Sequence, residues 1–312
     1  MTTVRPLFPP AIDSTMTGAF RSCPRKMELA YVNHWKPNTE SVHLVAGGAF
    51  AAGIEHARKA FFELGASRED AALAGYAELT RRYGDFECPP DSAKSYERTL
   101  GALEFYLDQY PLGGDGLTPY EFAGRKAIEF SFAIPLNILH PVTGEPLLYT
   151  GRADLIANYA GGVYAVDEKT TSSLGSSWAR QWELRSQFTG YQYAARAQGI
   201  PVQGTIVRGI SILKTKYDTI QHLTNRTQYE LDRWWQQLHF DVLRMIDCWK
   251  RGYWDFNLDH ACAEYGGCGF REICKSEHPD ALLPMYFAKK VWDPVAKEEV
   301  SVEEWESKWR VE

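Results

Sequence analysis

Apolar residues in the first third of the chain recur three and four positions apart, the period of an amphipathic helix. This spacing predicts a helix to about Trp35, capped by Ser14 or Thr15, and three more over Ala46–Leu64, Glu69–Tyr83 and Ser92–Tyr110. Pro89 and Pro90 part the last two, and the Gly- and Pro-rich stretch 111–119 ends the helical block. At Arg125 the period becomes two. Ala127–Leu136, Leu147–Tyr159 and Val163–Glu168 read as strands, joined at His140–Pro146 and Gly161-Gly162; the turn lengths predict an antiparallel meander. Helical spacing returns over Trp178–Gln198 and stops at Gly199-Ile200-Pro201. Strands over Val202–Leu213 and Tyr217–Leu223 then precede a long amphipathic helix, Thr227–Lys250.

Helices, three strands, helix, two strands, helix is the order of an α/β fold: a central mixed β-sheet flanked by helices. The pattern divides one integrated domain into a helical region (1–124), a core (125–257), a Cys-rich loop (258–280) and a tail (281–312). Hydrophobic residues at 45% and charged residues at 24% are ordinary globular values. The longest apolar runs are strand-sized, and no basic start followed by an apolar stretch marks a secretory signal, so a cytoplasmic protein is expected. The net charge of −6 argues against nonspecific wrapping of nucleic acid. Much of it sits in Asp293–Glu312, where seven acidic and three basic residues leave the rest of the chain at only −2.

Two neighbouring strands carry candidate chemistry. One contains Gly151-Arg152-Ala153-Asp154, and its hairpin partner ends Val166-Asp167-Glu168-Lys169-Thr170. Side chains alternate along a strand, so Asp167 and Lys169 share a face, and Asp154 can join them from the adjoining strand. Two carboxylates and an amine on one spot suit phosphodiester hydrolysis. Mg²⁺ or Mn²⁺ prefers oxygen ligands, polarises a phosphate and lowers the pKa of bound water, while the lysine orients the nucleophile or stabilises developing charge. An isolated Asp-x-Lys is more often a surface salt bridge.

This motif is not isolated. Gly-x-x-Asp followed by an apolar strand ending Asp-x-Lys resembles the PD-(D/E)XK nuclease superfamily, whose fold is a restriction-endonuclease-like core. Gln187-Phe188-Thr189-Gly190-Tyr191 is similar to the Q-x-x-x-Y of its RecB-like branch, and Gln187 and Tyr191, four apart, share a helix face. The resemblance implies that His56, on an early helix, completes the metal site with Asp154 and Asp167. It also matches Glu129 to a glutamate of the family's first strand. It covers roughly residues 20 to 275.

Six cysteines stand at 23, 88, 248, 262, 268 and 274, three of them within thirteen residues. In a cytosolic chain such clustering points to metal rather than disulfides. Cys23 with Cys262, Cys268 and Cys274 resembles the one-plus-three pattern of iron–sulfur RecB-like nucleases, among them CRISPR-associated exonucleases. The resemblance implies a [4Fe–4S] cluster on these four residues, although the family's commoner spacing leaves two residues between the first two of the three, against five here. Looping out Tyr265-Gly266-Gly267 would accommodate the difference. Four thiolates also suit zinc. Cys88 and Cys248 read as ordinary half-buried thiols. A group joining Cys23 to the 262–274 loop closes a ring of about 240 residues, which makes a structural staple the simplest role.

Arg180, Arg185, Arg208, Lys214 and Lys216 are candidate phosphate contacts, and Trp178, Trp182 and Tyr193 candidate base stackers, each weighed against a solvated or core role. The leading expectation is an exonuclease on single-stranded DNA or DNA ends, in repair, recombination or foreign-DNA processing. The alternatives are a non-catalytic nucleic-acid-binding subunit of a larger complex and, last, a redox protein. In the tail, Ser301 and Glu304 form a capping box, with Val302, Trp305 and Trp309 on one face. This short helix is expected to dock on its own chain; the sharper alternative is recruitment of a helicase or recombination protein.

Overall fold

The computed structural model describes residues 6–258, 260–263, 267–296 and 298–309. Its contacts divide the chain into two compact units: Met1–Thr39 with Phe132–Gly151 and Asp232–Glu312, and Glu40–Ser131 with Arg152–Leu231. The second unit has residues on both sides of Arg125, where the sequence pattern changes period.

That second unit begins with α1 (Val42–Phe62), α2 (Arg68–Tyr83) and α3 (Tyr96–Gln109), close to the predicted spans. Ser67 and Ser95 cap α2 and α3 by accepting the amides of Asp70 and Arg98. A Cβ on Gly53 would lie 2.5 Å from Leu103, and one on Gly75 2.7 Å from the Gly53 carbonyl oxygen, so glycine is what lets α1 and α2 approach. Beyond the helices come β1 (Ile128–Leu139), β2 (Pro146–Tyr159), β3 (Gly162–Thr171), β4 (Val202–Ile212) and β5 (Tyr217–Asn225). The chain passes between the two units within β1 and β2.

The sheet is mixed, as its sequence order predicts. β2–β3 and β4–β5 are antiparallel, whereas β3–β4 is parallel. A parallel pair requires a crossover, and the chain makes it through Ser176–Arg180 and α4 (Ser186–Ala197). The single helix expected over Trp178–Gln198 is therefore two. Between them Arg185 is extended (ψ 118°), and the Trp182 carbonyl accepts both the Arg185 amide at 3.2 Å and Arg226 Nη2 at 2.9 Å. Trp178 and Trp182 are buried with ring centroids 5.2 Å apart, so both are core and neither is a base-stacking surface.

In the first unit the helix expected to reach Trp35 breaks after Ser22. Asp13, not Ser14 or Thr15, is its cap; Oδ1 accepts the amides of Thr15 and Met16 at 2.8 Å. Pro24 holds the preceding Cys23 extended (φ −161°) before a new turn, Pro24–Met27, begins. The tail helix, Val302–Trp309, has the expected capping box: Ser301 and Glu304 exchange hydrogen bonds at 3.0 and 3.1 Å. Trp305 is buried, its ring 6.5 Å from that of His34, and Lys308 pairs with Asp293 at 3.1 Å. Trp305 is used on its own chain, which is the docked arrangement and not one that presents this residue to a helicase. No helix among the described residues is long and apolar enough to cross a membrane.

Candidate active site

The register of β2 against β3 pairs Leu155 with Val166, which sets Asp154 beside Asp167. Asp167 is buried at 1% exposure, Asp154 half-buried, and the Lys169 side chain keeps 31% exposure. Lys169 Nζ lies 2.5 Å from Asp167 Oδ1 as an ion pair. Asp154 Oδ2 accepts the Glu168 amide at 3.1 Å. The three residues expected to converge from the sequence do so.

Electrostatics separates the groups. Burial raises the pKa of Asp154, and the neighbouring Asp167 raises it further against the pull of Lys169. Burial likewise raises Asp167, while Lys169 and a hydrogen bond from the Tyr191 hydroxyl oppose it. For Lys169, burial favours the neutral amine, but Asp167 and Asp154 outweigh it and hold the ammonium above its ordinary range. On α4, Gln187 Nε2 donates to Tyr191 Oη at 2.7 Å, and that hydroxyl is among the groups that draw the Asp167 pKa down.

Glu129 comes to the margin of this group. It contributes to the raised pKa of Asp154 and forms an ion pair with Arg152 Nε at 2.6 Å. Burial, countered by Arg152 and reinforced by Glu55, pushes its own pKa up to about 7. Its φ of +54° is left-handed, a conformation that costs energy outside glycine. His56 is placed differently. Nδ1 lies 3.1 Å from the Ala52 carbonyl oxygen and Nε2 4.0 Å from Glu78, and neither contact is with the acidic group.

Sequence reasoning missed the network behind the strand. Glu168 points to the face opposite Asp167 and receives Arg58 through two hydrogen bonds, at 2.5 and 3.0 Å. Tyr106 Oη donates to the same carboxylate at 2.8 Å, and Arg208 reaches Tyr106 at 3.4 Å and Asp115 at 2.6 Å. Arg208 is 1% exposed and wholly engaged here, which corrects its expected role as a phosphate contact. Arg180, Arg185, Lys214 and Lys216 are exposed. A charged residue between two motif residues on a strand buried on both faces signals a required partner; only the fold shows that it is Arg58.

In the first unit, Cys23, Cys262, Cys268 and Cys274 line one small cavity with Phe256, Leu258, Ala261 and Phe270. The Cys268 amide donates to the Cys262 carbonyl at 3.2 Å, closing the long five-residue spacer on itself. Gly267, at φ +105°, supplies a backbone conformation other residues rarely adopt; Tyr265 and Gly266 lie outside the described residues. Burial raises the Cys274 thiol pKa, Arg25 opposes this, and the other three thiols raise it further. Cys88 and Cys248 are half-buried and do not line the cavity. Among the described residues, no three His, Cys, Asp or Glu side chains form a ready-made metal-binding group.

The chain matches the PD-(D/E)XK nuclease superfamily over residues 16–275. No curated protein matches it. A crystal structure described as "Putative exonuclease", from Eubacterium rectale, superposes with TM-score 0.51 and 12% identity, covering 84% of this chain and 87% of that one. A second, SSO0001, aligns over 83% of this chain and 93% of its own with 12% identity, but at TM-score 0.32 it carries no argument. The first likeness is one of fold.

Proposed function

The chain belongs to the PD-(D/E)XK nuclease superfamily, and from that premise we propose that it is a metal-dependent deoxyribonuclease acting on single-stranded DNA or DNA ends. The observation that carries this reading is the convergence of Asp154, Asp167 and Lys169. The name of the Eubacterium rectale protein favours exonucleolytic action. Repair, recombination or processing of foreign DNA would supply such substrates.

The residues fit Mg²⁺ or Mn²⁺. Asp167 Oδ1 is buried against a single cation, Lys169, and both aspartates have raised pKa values, as expected of carboxylates short of positive charge. Two protein carboxylates suffice for Mg²⁺, which takes its remaining oxygens from water and substrate phosphate. His56 would join Asp154 and Asp167 only on leaving Glu78. The bound cation would polarise the scissile phosphate and acidify a water. The protein's own part is positional. Asp154 and Asp167 hold the oxygen ligands, Tyr191 and Gln187 orient Asp167, and the Lys169 ammonium stabilises charge developing on the phosphate. With its pKa raised by the two acids, Lys169 serves as a cation rather than a base before substrate binds.

The four thiols around one cavity support a [4Fe–4S] cluster acting as a structural staple, with zinc as the competing occupant. Six free cysteines suit a reducing, intracellular compartment. Anaerobically purified protein should be brown and contain iron and sulfide; colourless protein with stoichiometric zinc rejects the cluster and retains the site. For the nuclease, labelled single-stranded DNA should be degraded with Mn²⁺ and spared with EDTA. Degradation that persists in EDTA, or none with any divalent cation, refutes the proposal.

A further inference from the structure

Outside the acidic site, Lys94 is a buried cation with no carboxylate partner among the described residues. Lys94 is 5% exposed, and its ammonium donates to Thr170 Oγ1 at 3.1 Å, a neutral partner. Burial is the single influence that lowers its pKa, and no carboxylate of the described residues contributes. Two buried guanidiniums are ion-paired, Arg58 with Glu168 and Arg208 with Asp115, and Arg226 is held by several hydrogen bonds, among them those to the Trp182 and Asn225 carbonyls. A buried ammonium left without an anion is costly, which favours a site that receives one.

The surroundings are those of a receiving site. Lys94 lines a cavity of about 310 Å³ together with His43, Asp91, Ser92 and Ser172. Ser172 and the neighbouring Ile212 stand at the carboxyl ends of β3 and β4, two parallel strands, where open α/β sheets commonly bind ligands. His43 and the serine hydroxyls can donate hydrogen bonds to an anion; exposed Asp91 is the one acid among the lining residues. Ser172 lies three residues beyond Lys169 on the same stretch of chain, about 10 Å along a strand. Each strand of DNA carries a phosphate per about 3.4 Å of rise, so the cavity falls within a few nucleotides of the acidic site.

We propose that this cavity is a second phosphate-binding subsite, in which Lys94 receives a phosphate of the DNA strand whose scissile bond lies at Asp154 and Asp167. The proposal rests on the nuclease reading. The shared chemistry is a phosphate oxyanion, supplied either by an internal phosphodiester or by a terminal monophosphate.

The test is binding of fluorescent single-stranded oligonucleotides in EDTA, read by anisotropy across a salt series. Three probes are used: 5′-hydroxyl, 5′-phosphate and circular. Folded Lys94→Met protein should show a salt slope shallower by about 0.7, the loss of one phosphate contact. A loss on all three probes assigns an internal phosphodiester, and a loss on the 5′-phosphate probe alone assigns the terminal group. Unchanged slope and affinity on all three overturn the subsite and leave the nuclease reading intact. Wild-type protein that binds none of the probes overturns the subsite, and the nuclease reading is then decided by cleavage with Mn²⁺. Should Lys94→Met fail to fold, Ser172→Glu on the exposed lip is compared with Ser173→Glu, outside the lining. The first should weaken binding more than the second; equal effects overturn the subsite.

Discussion

Asp167 and Glu168 are consecutive residues on one strand, both carboxylates and both buried, yet they titrate in opposite directions. Asp167 faces α4, where a single ammonium and a tyrosine hydroxyl do not offset burial, and its pKa rises. Glu168 faces α1 and α3. There burial is outweighed by Arg58, with Arg208 and Tyr106 adding to it, and its pKa falls. One face of the strand is electrostatically complete and the other is short of positive charge. The complete face anchors the strand through Arg58, while the Glu168 amide holds Asp154 in place; the incomplete face is where a cation and a phosphate are wanted.

The strongest way to break this contrast is on the incomplete face. Asp154→Ala, Asp167→Ala and Lys169→Ala should each lower DNA cleavage by roughly 10²- to 10³-fold or more, with the folded circular dichroism spectrum retained. A Lys169→Ala protein that cuts at the wild-type rate would remove these residues from the chemistry. On the complete face the loss should be of stability. Arg58→Met strands Glu168 and should cost about 3–5 kcal/mol in urea denaturation, while Arg58→Met/Glu168→Leu should recover most of it. If the double variant is no more stable than the single one, the pair is not what anchors the strand.

Smaller changes sharpen the comparison. Tyr191→Phe removes one hydrogen bond to Asp167, worth about 1 kcal/mol, and should slow cleavage about fivefold without loss of fold; an unaltered rate would exclude this contact from the chemistry. The smallest effect is in the pH dependence of stability in metal-free protein. Glu168, lowered from 4.5, contributes stability that is present above that pH and is lost as pH falls through its folded value. Asp167, raised from 3.8, behaves in reverse, and wild type loses stability as pH rises from 3.8 through the folded value. The gap between wild type and Glu168→Gln should therefore narrow on acidification, whereas wild type should gain on Asp167→Asn. Parallel curves for the two variants would mean that the two faces are not electrostatically distinct.

Period-two alternation was enough to place Asp167 and Lys169 on one face, and a two-residue turn enough to bring Asp154 to them, because both are consequences of local backbone geometry. The same is true of Gln187 and Tyr191, one helical turn apart, and of the capping box at Ser301 and Glu304. Tertiary structure alone decided that Arg58 meets Glu168 across 110 residues, that Arg208 is spent on Asp115 instead of DNA, that His56 faces Glu78, and that Lys94 meets Thr170 and no acid among the described residues. It also decided the two helix breaks, where a Pro24-constrained cysteine and an extended Arg185 interrupt a continuous helical pattern. Local periodicity specifies which way a side chain points; what it meets there is set by burial and by charges that converge from distant parts of the chain.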